Sequence, residues 1–258
     1  EWLPDMKLLE LKRTIVYGPV HSRRLGESLG INLCPMGKKV CSFDCVYCQY
    51  GRTAVHTLEP DRLDFPSVEE VGEALREGMK KHQESVYVTF SGNGEPTLHP
   101  DFANLVDVVI ELRDELLPNA QTTALSNGTA LQFPKIMNAV RKLDVPIIKL
   151  DAGNPDLFNR INRPCEDVSF EKLVEGAKAL PKLKTQSVLF DGPSQNHSGQ
   201  PLDDWIGVLS ELRPLEAQIY STQRPVPDMN IKVIPPDKLE KIAEEAGRRA
   251  GVEVNAYF

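Results

Sequence analysis

The chain has 258 residues, 41% of them hydrophobic, and a formal charge of −7. That size and apolar share allow one large α/β domain with its own core, and they exclude global disorder and a fold that depends on disulfides. No run of about 18 apolar residues occurs, which excludes a transmembrane helix and any membrane partner that would need one; an acidic chain is also a poor match for wholesale binding to a polyanion. The charge is uneven, since residues 1–52 carry eight basic side chains against five acids. The start, Glu1-Trp2-Leu3-Pro4-Asp5, has an acid where a secretory leader is basic and then apolar, so a cytoplasmic protein is expected.

In chain order, the first third reads as irregular and rich in Gly and Pro. Residues 1–29 are expected to form an N-terminal extension to a core over residues 30–258. Ser67-Val-Glu-Glu70 has the form of a capping box and opens a helix to about His82. Ser85 to Phe90 is a β-branched and aromatic strand ending at Gly92. A helix follows over 102–117, stopped by Pro118. Then come a strand over 122–125, a helix over 133–143 and a buried-type strand over 145–150. The rest alternates in the same way: helix 170–180, strand 186–190, helix 202–212, strand 217–220, helix 238–250 and strand 252–257. This alternation with short connections predicts an α/β fold with a parallel sheet, either open and doubly wound or a full or partial barrel. In either, ligands sit at the carboxyl ends of the strands. Polar residues collect there: Gly92-Asn-Gly-Glu95, Ser126-Asn127, Asp151 and Asp191.

Five cysteines are present, an odd number with three inside eight residues, which suits a soft-metal site in a reducing compartment better than disulfides. Cys41-Ser-Phe-Asp-Cys45-Val-Tyr-Cys48 can wrap one face of an iron–sulfur cubane, because thiolate sulfur is the usual ligand of cluster iron. Three ligands leave one iron open to a substrate or cofactor. The alternative is structural zinc, which wants four ligands; Cys34, His56 or His21 would have to complete the set.

The triplet, with Tyr47 just before its last cysteine, resembles the radical S-adenosylmethionine (SAM) superfamily. Ser91-Gly-Asn-Gly-Glu-Pro-Thr-Leu98 is similar to the Gly-Gly-Glu-Pro element of that superfamily, with Asn93 inserted between the glycines. Leu125-Ser-Asn-Gly-Thr129 and Lys149-Leu-Asp-Ala152 resemble its third and fourth strand ends. The resemblance implies a partial (β/α)6 TIM-type barrel, a [4Fe-4S] cluster on Cys41, Cys45 and Cys48, and SAM as the second cofactor. It implies SAM contacts from Tyr47, Gly92, Asn93, Gly94, Glu95, Pro96, Ser126, Asn127, Lys149 and Asp151. It also implies the chemistry: one electron reaches SAM at the open iron, methionine leaves, and a 5′-deoxyadenosyl radical takes a hydrogen atom from the substrate. An electron donor such as flavodoxin or ferredoxin would be a partner.

A narrower resemblance rests on Tyr17-Gly-Pro-Val-His-Ser-Arg-Arg-Leu-Gly-Glu-Ser-Leu-Gly-Ile-Asn-Leu33, Asn159-Arg-Ile-Asn-Arg-Pro164 and Arg224-Pro-Val-Pro227. These are similar to the wyosine-synthetase-like branch, which modifies tRNA. That branch is expected to carry three further N-terminal cysteines for a second cluster; this chain has only Cys34 there and Cys165 far away. The expected substrate is therefore a small molecule or peptide, with tRNA base modification as the alternative and a non-catalytic Fe–S or zinc protein as the reading from another class. Cys165 is the candidate catalytic residue, as a hydrogen-atom donor, set against a plain loop thiol. Arg23 and Arg24 are candidates to bind a phosphate or carboxylate, set against pairing with acids inside the fold.

Overall fold

The computed structural model describes residues 8–61 and 63–258; the Glu1–Asp5 opening and Lys7 lie outside the described residues. Val16–Ser22 (β1) and Gly26–Asn32 (β2) form an antiparallel hairpin, with Val16 facing Ile31 and Ser22 facing Gly26. Tyr87–Ser91 (β3), Gln121–Ser126 (β4), Ile147–Lys149 (β5), Lys184–Val188 (β6), Glu216–Tyr220 (β7) and Val254–Tyr257 (β8) follow, all parallel to β2 and each beside its predecessor. The helices are Val68–Lys81 (α1), Phe102–Leu116 (α2), Pro134–Val140 (α3), Pro155–Asn162 (α4), Phe170–Lys178 (α5), Gln200–Leu212 (α6) and Pro236–Ala250 (α7). β1 and β8 are not paired, so the sheet is an open, curled half-barrel. The partial barrel expected from the sequence is present, with seven parallel strands and an antiparallel edge.

Among the described residues the first third is irregular from residue 33 to residue 67 apart from two two-residue strands, but residues 16–32 form the hairpin, and residue 29/30 lies within β2. Gly and Pro concealed the hairpin. β1 carries Gly18-Pro19 where its register slips between Tyr17 and Val20, and an edge strand tolerates a proline because its outer N–H groups need no partner. In β2 the glycine makes room for a ring: a Cβ at Gly30 would lie 2.3 Å from Tyr17 Cζ. Helix α4 was also not anticipated. Asn154 caps it by accepting the Leu157 N–H at 2.9 Å, and Pro155 fills its first position, where no amide donor is needed. The expected capping box of α1 is formed in both directions, Ser67 N to Glu70 Oε2 at 2.7 Å and Glu70 N to Ser67 Oγ at 3.2 Å.

Alternation along the strands separates two chemistries. On the helix-covered face Leu29, Ile31, Val88, Phe90, Ile148 and Ile219 are buried in one apolar cluster that also holds Leu75, Met79, Phe102, Leu105, Leu209 and Ala246. Burying a side chain of this kind stabilises the fold by about 1.5–3 kcal/mol. The other face is buried as well but polar. Ser28, Thr89, Thr123, Gln186 and Gln218 line it, joined by Ser28–Thr89 (2.7 Å) and Gln186–Gln218 (3.1 Å) hydrogen bonds. Its floor is closed by Leu25 of the hairpin turn with Val145, Ile147, Tyr87 and Leu125. A polar inner wall over an apolar floor suits a site for a polar ligand.

Glu216 is the most heavily bonded acid of that wall. It pairs with Lys184 at 2.8 Å and accepts from Tyr257 (2.6 Å), Asn255 (3.0 Å) and Gln218 (3.1 Å). Burial opposes its ionisation, but the four donors win and hold its pKa at about 2, against 4.5 for a free glutamate. A depressed folded-state value gives stability that is present above 4.5 and lost as pH falls toward 2. Glu216→Gln is therefore expected to lower the melting temperature near neutral pH, with the gap to the wild type closing between pH 4.5 and 2. A gap that does not change with pH would show that the charge is not what stabilises.

Candidate active site

The loop from Cys41 to Cys48 lies over the carboxyl ends of the strands and is held from three sides. On the first side, Val40 runs between two residues of the β3 end, with Val40 N to Asn93 O at 3.2 Å and Glu95 N to Val40 O at 2.9 Å. This approach requires a glycine between them. Gly94 has φ +153°, and a Cβ there would lie 1.9 Å from Val40 O. Asn93 points away from the loop. Its side chain bonds both backbone groups of Lys12, accepting at 2.6 Å and donating at 2.8 Å, so the inserted asparagine ties down the N-terminal segment. Gly92, at φ +113°, makes way for Asn32, whose Oδ1 accepts the Asn93 N–H at 3.0 Å.

On the second side stands the end of α4. The last carbonyls of a helix lack partners within it; here Ile161 O accepts from Val46 N and Asn162 O from Asp44 N, both at 3.0 Å. Pro164 bridges to Phe43, and Cys165 N donates to Ser42 O at 2.9 Å. On the third side is the end of β4. Asn127 Nδ2 donates to Ser42 Oγ at 2.8 Å, and its Oδ1 accepts from Thr129 N at 3.1 Å and Thr129 Oγ1 at 2.9 Å. Glu95, 2% exposed, accepts from Thr97 N (3.1 Å), Thr97 Oγ1 (2.6 Å), Ser126 Oγ (2.8 Å) and Asn127 N (2.7 Å). Burial pushes its pKa up while these donors pull it down, and the balance is upward. Glu95 thus clamps the β3 end to the β4 end, and Pro96 starts the short turn that it caps.

Side-chain amides meet the sulfurs. Asn127 Nδ2 is 3.6 Å and Phe43 N 3.4 Å from Cys41 Sγ, and Asn162 Nδ2 is 3.4 Å from Cys45 Sγ. Burial, reinforced by Asp151 and Cys48, pushes Cys45 up to about 12; burial and Glu95 hold Cys41 well above the usual thiol range. Without a cation these sulfurs stay protonated, and a bound metal ion is what would make them thiolates. Among the described residues no three Cys, His, Asp or Glu side chains are drawn together as a metal-binding group, so the fit to a cluster rests on the donor chemistry: three soft sulfurs on one loop, two of them met by N–H donors. The residues that zinc would need have other partners. Cys34 Sγ faces Val40 O at 3.7 Å, His56, beside Cys41 in register, bonds Ser42 O at 3.2 Å, and exposed His21 bonds Glu27 at 2.6 Å.

Beside the loop lies a second cluster at the ends of β5 to β7. Asp151, 2% exposed, accepts from Tyr47 Oη, Asn162 Nδ2 (2.9 Å) and Val188 N (2.8 Å), and it pairs with Lys149 at 3.1 Å. Its oxygens are taken, so it acts as a hub within the protein. Lys149 differs: its buried Nζ has no aligned hydrogen-bond acceptor and sits 5.2 Å from the Tyr47 ring and 5.2 Å from the Tyr220 ring. Burial alone would pull Lys149 down, but Asp151 keeps it above the usual lysine value and charged.

The structure therefore brings Tyr47, Gly92, Gly94, Glu95, Pro96, Ser126, Asn127, Lys149 and Asp151 to one end of the sheet with the three cysteines, while the Asn93 side chain faces the N-terminal segment. Cys165 packs with Cys34, Val40 and Leu58 on the flank of the loop. Asp191 is exposed and bonds its neighbour Gly192 at 2.8 Å, so it does not join the site. Sequence reasoning missed Asn162 and Tyr220. Asn162 falls inside the Asn159 to Pro164 segment, whose pattern was noticed without a role. Tyr220 was visible only as the end of a strand.

Comparison with known proteins agrees with this arrangement. The model of the Radical SAM superfamily matches residues 38–197. A UPF0026 protein of Methanocaldococcus jannaschii is 33% identical over 238 residues, 90% of this chain and 70% of that protein. A protein named GTPase Obg from Brachyspira hyodysenteriae is 30% identical over 249 residues, 95% of this chain; the chain spans only 35% of it. Among solved structures, TYW1 with a lysine-pyruvate adduct superposes with a TM-score of 0.63 at 15% identity, over 87% of this chain and 75% of that one. SuiB of Streptococcus suis bound to S-adenosylmethionine gives 0.65 at 15% identity, over 89% and 50%. At these identities the two structures speak for the fold. The match across 38–197, which contains the cysteine loop and the three strand-end segments at Gly92, Ser126 and Lys149, shows that the chain belongs to the radical SAM superfamily, enzymes that use a [4Fe-4S] cluster and S-adenosylmethionine.

Proposed function

We propose that Cys41, Cys45 and Cys48 hold the cluster and that the protein abstracts a hydrogen atom from a small-molecule or peptide substrate bound against the inner face of the half-barrel. One observation carries this reading: the cysteine loop is fixed from three sides over the open end of a sheet whose inner wall is polar. Held by these three cysteines, a [4Fe-4S] cluster with SAM would supply the one-electron, hydrogen-abstracting chemistry.

The chain's own residues have separate tasks. Asn127 and Asn162 aim N–H groups at Cys41 and Cys45 and so favour their thiolate forms. Glu95, Ser126 and Asp151 hold the strand ends in place through bonds that are already complete. Lys149, with its ammonium free of aligned acceptors, is the group able to meet the carboxylate of SAM. Tyr47 and Tyr220 flank it and keep water from it.

The test is anaerobic reconstitution with iron and sulfide, followed by reduction with SAM present. 5′-Deoxyadenosine and methionine should form. A chain that binds iron and sulfide yet leaves SAM intact would defeat the reading. Retention of tRNA at physiological salt would move the substrate class to nucleic acid.

A further inference from the structure

We propose that the substrate carries an anionic group, a carboxylate or a phosphate, and that Arg24 receives it on the inner wall of the half-barrel. The inference rests on the enzyme reading above and names the class of molecule that the site takes.

Arg23 and Arg24 lie in the turn between β1 and β2, and the curl of the sheet brings this turn to the end of β7. Arg23 is exposed and bonds Gln223 at 3.2 Å. Arg24 is half-buried, its guanidinium 4.1 Å from the centroid of the Tyr220 ring. Stacking engages the face of a guanidinium and leaves its N–H edge open, the edge that matches a carboxylate or phosphate. Among the described residues the Arg24 side chain makes no hydrogen bond and no ion pair; only its backbone N–H is bonded, to Ser22 Oγ at 3.3 Å.

The acids nearby cannot serve it. Asp151 is held by Tyr47, Asn162, Val188 and Lys149, and Glu216 by Lys184, Tyr257, Asn255 and Gln218. Lys149 and Lys184 thus match these two acids one for one, and neither acid is left for Arg24. A partly desolvated charge without a counter-ion is costly, and an anionic ligand would relieve it. Lys149, 5.2 Å from the same Tyr220 ring, is already paired with Asp151 at 3.1 Å. Tyr47, Lys149, Tyr220 and Arg24 alternate ring and cation from the cysteine loop to the hairpin turn. Lys149 stands at the cofactor end, and Arg24 at the end away from the cysteines, where a substrate is anchored.

The experiment uses the full chain labelled with 15N-arginine, titrated separately with inorganic phosphate and with acetate. One side-chain Nε–H signal should shift and saturate. Arg24→Gln should remove that signal and weaken the probe by about tenfold or more, whereas Arg23→Gln should not. Arg24→Lys, which keeps the charge and guards against a folding artefact, should retain part of the binding. A response to phosphate alone or to acetate alone supports the proposal and identifies the group. SAM affinity of the reconstituted protein separates the two sources of carboxylate: it should stay within about twofold in Arg24→Gln. If Arg24→Gln loses SAM instead, or if neither probe moves an arginine signal in the wild type, the proposal is overturned. Failure of the wild type to cleave SAM would sink the enzyme reading alone, because the titration does not depend on it.

Discussion

Cys45→Ser is expected to reduce bound iron and sulfide from stoichiometric to background after anaerobic reconstitution, and SAM cleavage with them. Cluster iron selects soft thiolate sulfur, and serine offers a hard oxygen whose proton is much harder to remove. Cys41→Ser and Cys48→Ser should behave in the same way. The loss should not come from unfolding. Cys45 Sγ is met by Asn162 Nδ2 at 3.4 Å, and a serine oxygen can accept the same bond, so the metal-free variant should melt close to the wild type. Cys34→Ser and Cys165→Ser are the contrasting pair. Both thiols pack against Val40 and Leu58 on the flank of the loop, so these variants should keep their iron. Iron and sulfide per chain, with 5′-deoxyadenosine under reduction, decide the matter. Retention of the cluster in Cys45→Ser together with its loss in Cys34→Ser would overturn the ligand assignment.

Gly94→Ala should be the most damaging change that adds a single methyl group. The added carbon would lie 1.9 Å from Val40 O at a φ of +153°, which an alanine rarely adopts. Relief requires Val40 to move, and Val40 O accepts the Glu95 N–H at 2.9 Å. The expected cost is about 2–4 kcal/mol, combining backbone strain with a lost buried hydrogen bond. For a chain of this size that is a fall in melting temperature of roughly 5–15 °C. Because Val40 precedes Cys41, iron retention should fall as well. Gly37 supplies the control. It also has a positive φ, +67°, but nothing lies within 4 Å of its Cβ position, so Gly37→Ala carries the conformational cost alone, about 1 kcal/mol, and leaves the cluster untouched. Equal effects of the two substitutions would show that the approach of Val40 is not what Gly94 serves.

Much of this protein is legible one segment at a time. The capping box at Ser67 and Glu70, the strand running into Gly92 and the cysteine spacing each depend on neighbours in sequence, and each is where the pattern puts it. The hairpin of β1 and β2 failed because its Gly and Pro signal breaks in an average strand; here they sit at a register slip on an edge and beneath the Tyr17 ring. Glu95 shows the other limit. A Gly-Glu-Pro segment marks a carboxylate at a strand end, but not that four donors from Thr97, Ser126 and Asn127 already occupy it.

The alternation of strand and helix, the three sulfurs on one loop and the polar residues at strand ends follow from local spacing and side-chain chemistry, and so they can be read along the chain. Which polar groups are spent and which remain open follows from the packing of distant segments. Asp151 and Glu216 are each matched by a lysine, and Arg24 has no such partner among the described residues, and this depends on partners such as Tyr47, Asn162, Lys184 and Tyr220 that lie far apart along the chain. Only the curl of the sheet, which carries the turn at Arg24 to the end of β7, brings them within reach of one another.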